Sequence, residues 1–227
     1  MNQLTIYRQY FTKTDCYQAG IIQKPIGIQV HSTGANNPYL KRYVQPDDGR
    51  LGVNNNKNDH NHSGLKVCAN AYIGKMANGA PAIYQTLPWD YRCWLSGSGP
   101  NGNANKLGYI GYEICEDNLK SRDYFLTAVM KLSVLLDAYL CNEFHIPVNM
   151  IHDHSELHGM GLASNHKDIG HWLRNFGLTM NDYRAAVSKA IADGVEVTYA
   201  GDTISVPMNK LVDIRTKLSE ASLLLDF

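Results

Sequence analysis

IGIQVHST, residues 26–33, alternates: Ile26, Ile28 and Val30 fall on one face, and Gly27, Gln29 and His31 fall on the other. A period of two reads as a half-buried β-strand. It leaves His31 near the C-terminal end of that strand, on the less apolar face. YIGYEIC, residues 109–115, repeats the pattern, with Ile110, Tyr112 and Ile114 opposing Gly111, Glu113 and Cys115. Glu113 therefore turns away from the apolar set of its own strand, as His31 does. A carboxylate flanked by Tyr112 and Ile114 is an unusual choice for a core strand.

Outward from these two strands, turn chemistry and periodicity mark the rest. STGANNPYL and residues 44–66, rich in Asn, Asp, Gly and His, read as loops, the second long enough to form the lip of a site. NAYIG (70–74) and AIYQTL (82–87) read as short strands around an MANGAP turn, and residues 94–108 as a further Gly/Asn-rich loop. The clearest helix spans about 121–144, where Phe125, Val129, Leu132 and Leu136 recur at three- and four-residue steps. VNMI (148–151) is a short buried segment after Pro147, and residues 161–172 are loop-like. Thr179 with Asp182 fits a helix start, and Gly194 fits its stop. VEVTY–AGD–TISV then suggests a hairpin. The tail, with apolar Leu211, Ile214, Leu218, Ala221 and Leu225, suggests a helix over 208–225.

The 227 residues carry 21 Lys+Arg against 21 Asp+Glu, so the net charge is zero and no basic stripe is visible. A nucleic-acid partner held through its phosphates is not expected. The N-terminal residues are polar where a signal peptide needs an apolar region. The most apolar stretch, around 126–140, is broken by Lys131 and Asp137, so no membrane span is expected. Synthesis in the cytoplasm is the corresponding expectation. The five cysteines (16, 68, 93, 115 and 141) are odd in number and widely spaced. They are expected to be buried free thiols, neither a disulfide framework nor a zinc ribbon.

Four of the nine histidines, His152, His154, His158 and His166, fall within fifteen residues, among Asp153, Glu156 and Asp168, with His171 just beyond. Catalytic zinc takes three such protein ligands and leaves a fourth position open. There is no HExxH, so a helix-borne protease site is not supported. His60 and His62, in the Asn-rich loop, read as solvated. Spacing alone leaves both the metal and its ligands open.

GIQVHSTGANNPYLKRYVQPDDG, AIYQTLPW, YIGYEICED and HDHSELHGMGLASNHKDIGHW, in this order and spacing, resemble the N-acetylmuramoyl-L-alanine amidases of phage and prophage endolysins. These share a zinc amidase superfamily with the peptidoglycan recognition proteins. The likeness covers about residues 5–190. It implies an α/β fold, with a mixed central sheet flanked by helices and Zn²⁺ at strand ends. It also implies a catalytic domain over 1–194, with 195–227 as a small hairpin–helix appendage.

Carried over residue by residue, the resemblance makes His31, His154 and Asp168 the zinc ligands. Glu113 becomes the acid–base group, and His166 assists the oxyanion. His152 and His158 are left as neighbours or surface residues, and His171 and Trp172 as packing for the ligand loop. Two positions depart from relatives: Asn70-Ala71-Tyr72 and Leu95 stand where a cleft-lining His is common. The implied reaction is hydrolysis of the amide between N-acetylmuramic acid and L-alanine in bacterial peptidoglycan, after release of the protein to the wall. The alternative is a peptidoglycan-binding module without activity, which in such relatives has lost a zinc ligand. For the tail, self-association or docking of a wall-binding partner is the sharper expectation, and folding back on its own domain the plainer one.

Overall fold

The computed structural model describes residues 1–44 and 49–200. Seven strands form one sheet: β1 (Asn2–Arg8), β2 (Gly27–Ser32), β3 (Ala71–Lys75), β4 (Pro81–Gln85), β5 (Tyr109–Ile114), β6 (Ile151–Asp153) and β7 (Val195–Ala200). Their order is β6-β2-β5-β3-β4-β1-β7. β6, β2, β5 and β3 run parallel to one another, and β3 pairs antiparallel with β4 through the 76–80 turn. The sheet is mixed, as expected. β1, which the sequence reading did not mark as a strand, lies parallel between β4 and β7.

Apolar residues of one face, Ile28, Val30, Ile73, Ile110 and Ile114 among them, pack beneath two long helices, α3 (Met130–Phe144) and α6 (Met180–Asp193). Thr179 and Asp182 form a capping box at the start of α6, and Gly194 caps its end at φ 80°. The turn before α3, Asp123–Val129, is π-helical. The span Asp123–Phe144 is apolar enough to cross a bilayer by composition, yet it lies against the sheet with Phe125, Val129, Leu136 and Leu140 in the core.

The opposite face is covered by loops and short helices, so β2 is buried along its whole length rather than on one side. Its polar residues need internal partners. Gln29 finds them in Asn105 of α2 (Ala104–Leu107) and in Cys93.

Asp137, which interrupts the apolar run of α3, accepts hydrogen bonds from the hydroxyls of Tyr112 (2.9 Å) and Tyr183 (2.7 Å), with Ser133 closing the network. It thereby ties α3 to β5 and α6. Burial pushes its carboxyl up to about 7, against the pull of the two tyrosine hydrogen bonds. An acid whose pKa is raised on folding takes up a proton, so stability falls as pH rises from about 4 towards 7. Asp137→Asn is expected to flatten that slope in urea melts taken across the window. An unchanged slope would assign the pH dependence elsewhere.

One cysteine expectation is corrected. Cys16, in α1 (Asp15–Ala19), and Cys68 form a disulfide, while Cys93, Cys115 and Cys141 are free and buried. A separation of 52 residues says nothing about distance once the chain returns, and Cys68 is brought back by its bridge to Trp94. Closing a loop of that size stabilises by roughly 3–4 kcal/mol. Reduction, or Cys16→Ser with Cys68→Ser, should lower the midpoint by about 6–15 °C in calorimetry. An unaltered midpoint would mean the pair is not bridged in solution.

The strand read at the start of the hairpin is present as β7. Its partner among the described residues is β1, so it extends the main sheet. The second hairpin strand and the 208–225 helix, with any self-association through it, lie outside the described residues.

Candidate metal centre

Three neighbouring parallel strands deliver the site. His31 is the penultimate residue of β2, Glu113 stands opposite it in register on β5, and His154 follows directly after β6. The carboxyl ends of parallel strands are where open α/β sheets place their ligand crevices. α4 (His154–Gly159) begins at His154 with a capping box from Asp153 and Glu156, and Arg184 clamps Glu156 through two 2.9 Å contacts. The loop after α4 then returns. The backbone N–H of His154 donates to the Asp168 carbonyl (2.9 Å). Gly170, which opens α5 (Gly170–Asn175), lets this loop close in, because a Cβ there would lie 2.5 Å from Asp153 Oδ2.

His31, His154 and Asp168 are brought together as the sequence reading expected. His31 Nδ1 lies 3.0 Å from Asp168 Oδ2 and 3.1 Å from His154 Nδ1, and His154 Nδ1 lies 3.7 Å from the same carboxylate oxygen. The far nitrogens decide what these three atoms can be. His31 Nε2 meets Gln29 Oε1 (3.1 Å), whose amide nitrogen is already committed to Asn105 (2.9 Å). His154 Nε2 meets the Ser164 carbonyl (2.9 Å). Both acceptors require N–H at Nε2, which leaves both Nδ1 atoms as lone pairs. Two lone pairs and a carboxylate aimed at one point repel unless a proton or a cation lies among them. This donor set fits zinc: two imidazoles and one carboxylate, each fixed from behind.

Burial lowers the His31 pKa, against the upward effect of Asp168, which favours the neutral ring that a metal needs. The Asp168 carboxyl is held well below the carboxylate range: burial pushes it up, but the hydrogen bonds and charges of His154 and His31 outweigh that.

Glu113 is partly exposed, but its Oε2 is buried with no hydrogen-bond partner. Burial first, then the charges of Asp168 and Glu116, raise its pKa well above the carboxylate range. Such a carboxyl holds its proton more firmly than an exposed glutamate does. His166 is exposed beside the cluster, its ring 4.8 Å from that of His154, and its Nδ1 meets Ser164 Oγ at 3.0 Å.

The remaining histidines lie elsewhere. His152 faces Glu156 (3.4 Å) and His158 Nδ1 meets the Ala163 carbonyl (3.1 Å). His60 is not solvated as expected: it bonds the buried Tyr72 hydroxyl at 2.7 Å, while His62 pairs with Asp59. Trp172 packs on Phe125, and His171 reaches Glu116 (3.3 Å). Glu116 also accepts from Ser32 Oγ (2.6 Å), linking the end of β2 to α5. Gln29, Ser164 and Glu116 were not singled out by the sequence reading. Gln29 carried a signal, since it shares the face of His31 two residues away. Asn70, one of the departures, is buried and bonds Pro88, Tyr91 and Gly111.

A family model described as N-acetylmuramoyl-L-alanine amidase matches residues 23–171, a span that holds all five of these site residues. No curated protein matches the chain in sequence. Among solved structures, the chain is similar to the Staphylococcus aureus hydrolase AmiA in complex with its ligand (TM-score 0.54, 16% identity, covering 84% of this chain and 83% of that one). It is also similar to PlyL (TM-score 0.53, 17% identity, 82% and 97%). A mutant endolysin from Bacillus subtilis matches as well (TM-score 0.51, 17% identity, 82% and 99%). At such identities the likeness is one of fold.

Proposed function

Because this chain belongs to the N-acetylmuramoyl-L-alanine amidase family, we propose that it hydrolyses, with zinc, the amide between the lactyl group of N-acetylmuramic acid and L-alanine in bacterial peptidoglycan. The observation that carries the reading is the convergence of His31 Nδ1, His154 Nδ1 and Asp168 Oδ2, all within 4.8 Å of one another, with Glu113 in register on the next strand. Zinc held by those three residues would supply a Lewis acid for the amide carbonyl and acidify a water molecule. Gln29 and Ser164 fix the tautomers of His31 and His154, so the ligands are ready before substrate arrives.

Glu113 takes the proton of the attacking water and returns it to the leaving amine of L-alanine. Its raised pKa suits a group that must do both in turn. His166, reaching out beside His154, donates to the oxyanion of the tetrahedral species. Action at the wall, after release from the cell, agrees with the Cys16–Cys68 disulfide, which persists in oxidising surroundings.

Mass spectrometry of muropeptides after digestion with metal-replete protein tests the reading. Free stem peptides beginning with L-alanine, with intact glycan, are expected. Cut glycan, or cuts within the stem, would overturn it. Binding without any cleavage would make the chain a recognition module.

A further inference from the structure

We propose that oxidation of Cys16 and Cys68 to their disulfide is a maturation step for the metal centre: the bond fixes the hydrogen-bonded backing of His31 and so raises the affinity of the site for zinc. The proposal rests on the zinc ligand set given above and concerns what makes that site ready. The step is a thiol–disulfide exchange. The two protein thiols form one S–S bond and give up two electrons and two protons, and a small-molecule disulfide takes these and parts into two thiols. Among reducing thiols the chain keeps Cys16 and Cys68 unbonded, and in oxidising surroundings the bond forms.

Consecutive contacts join these sulfurs to the ligand. Cys68 pairs with Trp94 through two backbone hydrogen bonds, 3.1 and 2.9 Å. Cys93, next to Trp94, turns inward, and Cys16, Cys68 and Cys93 share one buried cluster with Leu87. Gln29 Nε2 donates to Cys93 Sγ (3.1 Å) and to Asn105 Oδ1 (2.9 Å). Asn105 is held in turn by the backbone N–H groups of Leu95 and Ser96. With both acceptors on its nitrogen, Gln29 turns Oε1 to His31 Nε2 at 3.1 Å. A flipped amide would set N–H against N–H at His31 and oxygen against two acceptors.

The disulfide matters because of where residues 92–96 lie. They belong to none of the seven strands, so no ladder of the sheet holds them. Cys93 is instead clamped from two flanks. On one, the Arg92 N–H donates to the carbonyl of Ile21, just after α1 (2.9 Å). On the other, Trp94 pairs with Cys68. The Cys16–Cys68 bond ties α1 to Cys68, and so closes the clamp covalently. Both sulfurs are covered, but exposed Val67 adjoins Cys68 and exposed Gln18 and Ala19 follow Cys16, so the pair lies just beneath the surface. Cys93 takes no part in the exchange, because burial pushes its thiol up to about 12 and the thiolate is the nucleophile.

Zinc affinity, read by competition with a chromophoric chelator, tests the proposal. It is measured on protein purified under reducing conditions and on the same protein after oxidised glutathione, with alkylation confirming five free thiols in the first and three in the second. The oxidised form should bind zinc roughly tenfold or more tightly, since an outer hydrogen bond to a ligating histidine is worth about 10–100-fold. Cys16→Ser with Cys68→Ser should match the reduced wild type and ignore the oxidant. Gln29→Ala should bind weakly in both forms, with the gap closed. Should that variant fail to fold, Cys93→Ala, which removes one acceptor, should narrow the gap. Equal affinity of the two wild-type forms, or a gap unchanged in these variants, would overturn the proposal. So would circular dichroism showing the reduced wild type unfolded, because the bond would then hold the fold and not the ligand. Absence of zinc from both forms would remove the proposal and the metal centre together. If oxidation tightens zinc binding but the loaded protein cleaves no muropeptide, the maturation step stands and the amidase reading falls.

Discussion

Replacing His31 by Ala is expected to remove metal and activity together: bound zinc below about a tenth of an equivalent per chain, and turnover down by at least about three orders of magnitude. Of the three proposed ligands His31 is the central one, its Nδ1 within 3.0–3.1 Å of both Asp168 and His154. Without it, one imidazole and one carboxylate remain, too few for the closed side of a catalytic site. The fold should survive. β2 keeps its ladders to β5 and β6, and His31 is not among the residues of the apolar core under α3 and α6. Metal analysis after dialysis and circular dichroism check the two halves of this expectation. A His31→Ala protein that holds a full equivalent of zinc would dismiss the proposed ligand set. A variant that fails to fold would show instead that His31 is structural.

How much of this could be read from residues alone depends on what kind of signal each position carries. His31 and Glu113 were legible because strand alternation places a polar residue against its apolar neighbours, and that conflict is local. That the two face each other in register is a property of β2 pairing with β5, more than 80 positions apart, and periodicity does not encode it. His154 stood out only as one of a crowd. Its selection over His152 came from the resemblance, and the structure gives the reason, since His152 turns to Glu156 while His154 starts α4 facing the cluster.

Asp168 sits in a loop, where good turn chemistry and metal ligation look alike in sequence. β1 escaped because only Leu4 and Ile6 of its seven residues are fully buried, so it presents little alternation. β7 was readable as a strand, but its pairing with β1 spans nearly the whole chain. The same blindness to distance made Cys16 and Cys68 look like unrelated thiols.

Glu113→Gln separates catalysis from binding more cleanly than any ligand substitution. The amide keeps the volume and much of the hydrogen-bonding shape of the carboxylate but cannot accept the proton of water. General acid–base help is commonly worth about 10²–10⁴-fold, so turnover should fall by at least about two orders of magnitude. Zinc content and affinity for muropeptide should hold, because Glu113 lies outside the cluster of His31, His154 and Asp168.

Stability should rise slightly or stay level. The Oε2 of Glu113 is buried without a partner, and a neutral group in its place no longer has to be charged among Asp168 and Glu116. The pH profile adds a second reading. With its pKa raised by burial, Glu113 in the wild type should set the acid limb of kcat/KM above the usual carboxylate range, and that limb should vanish from the residual activity of the variant. Near-normal turnover in Glu113→Gln would show that another group moves the proton. Loss of zinc would make Glu113 a ligand and displace Asp168 from the set.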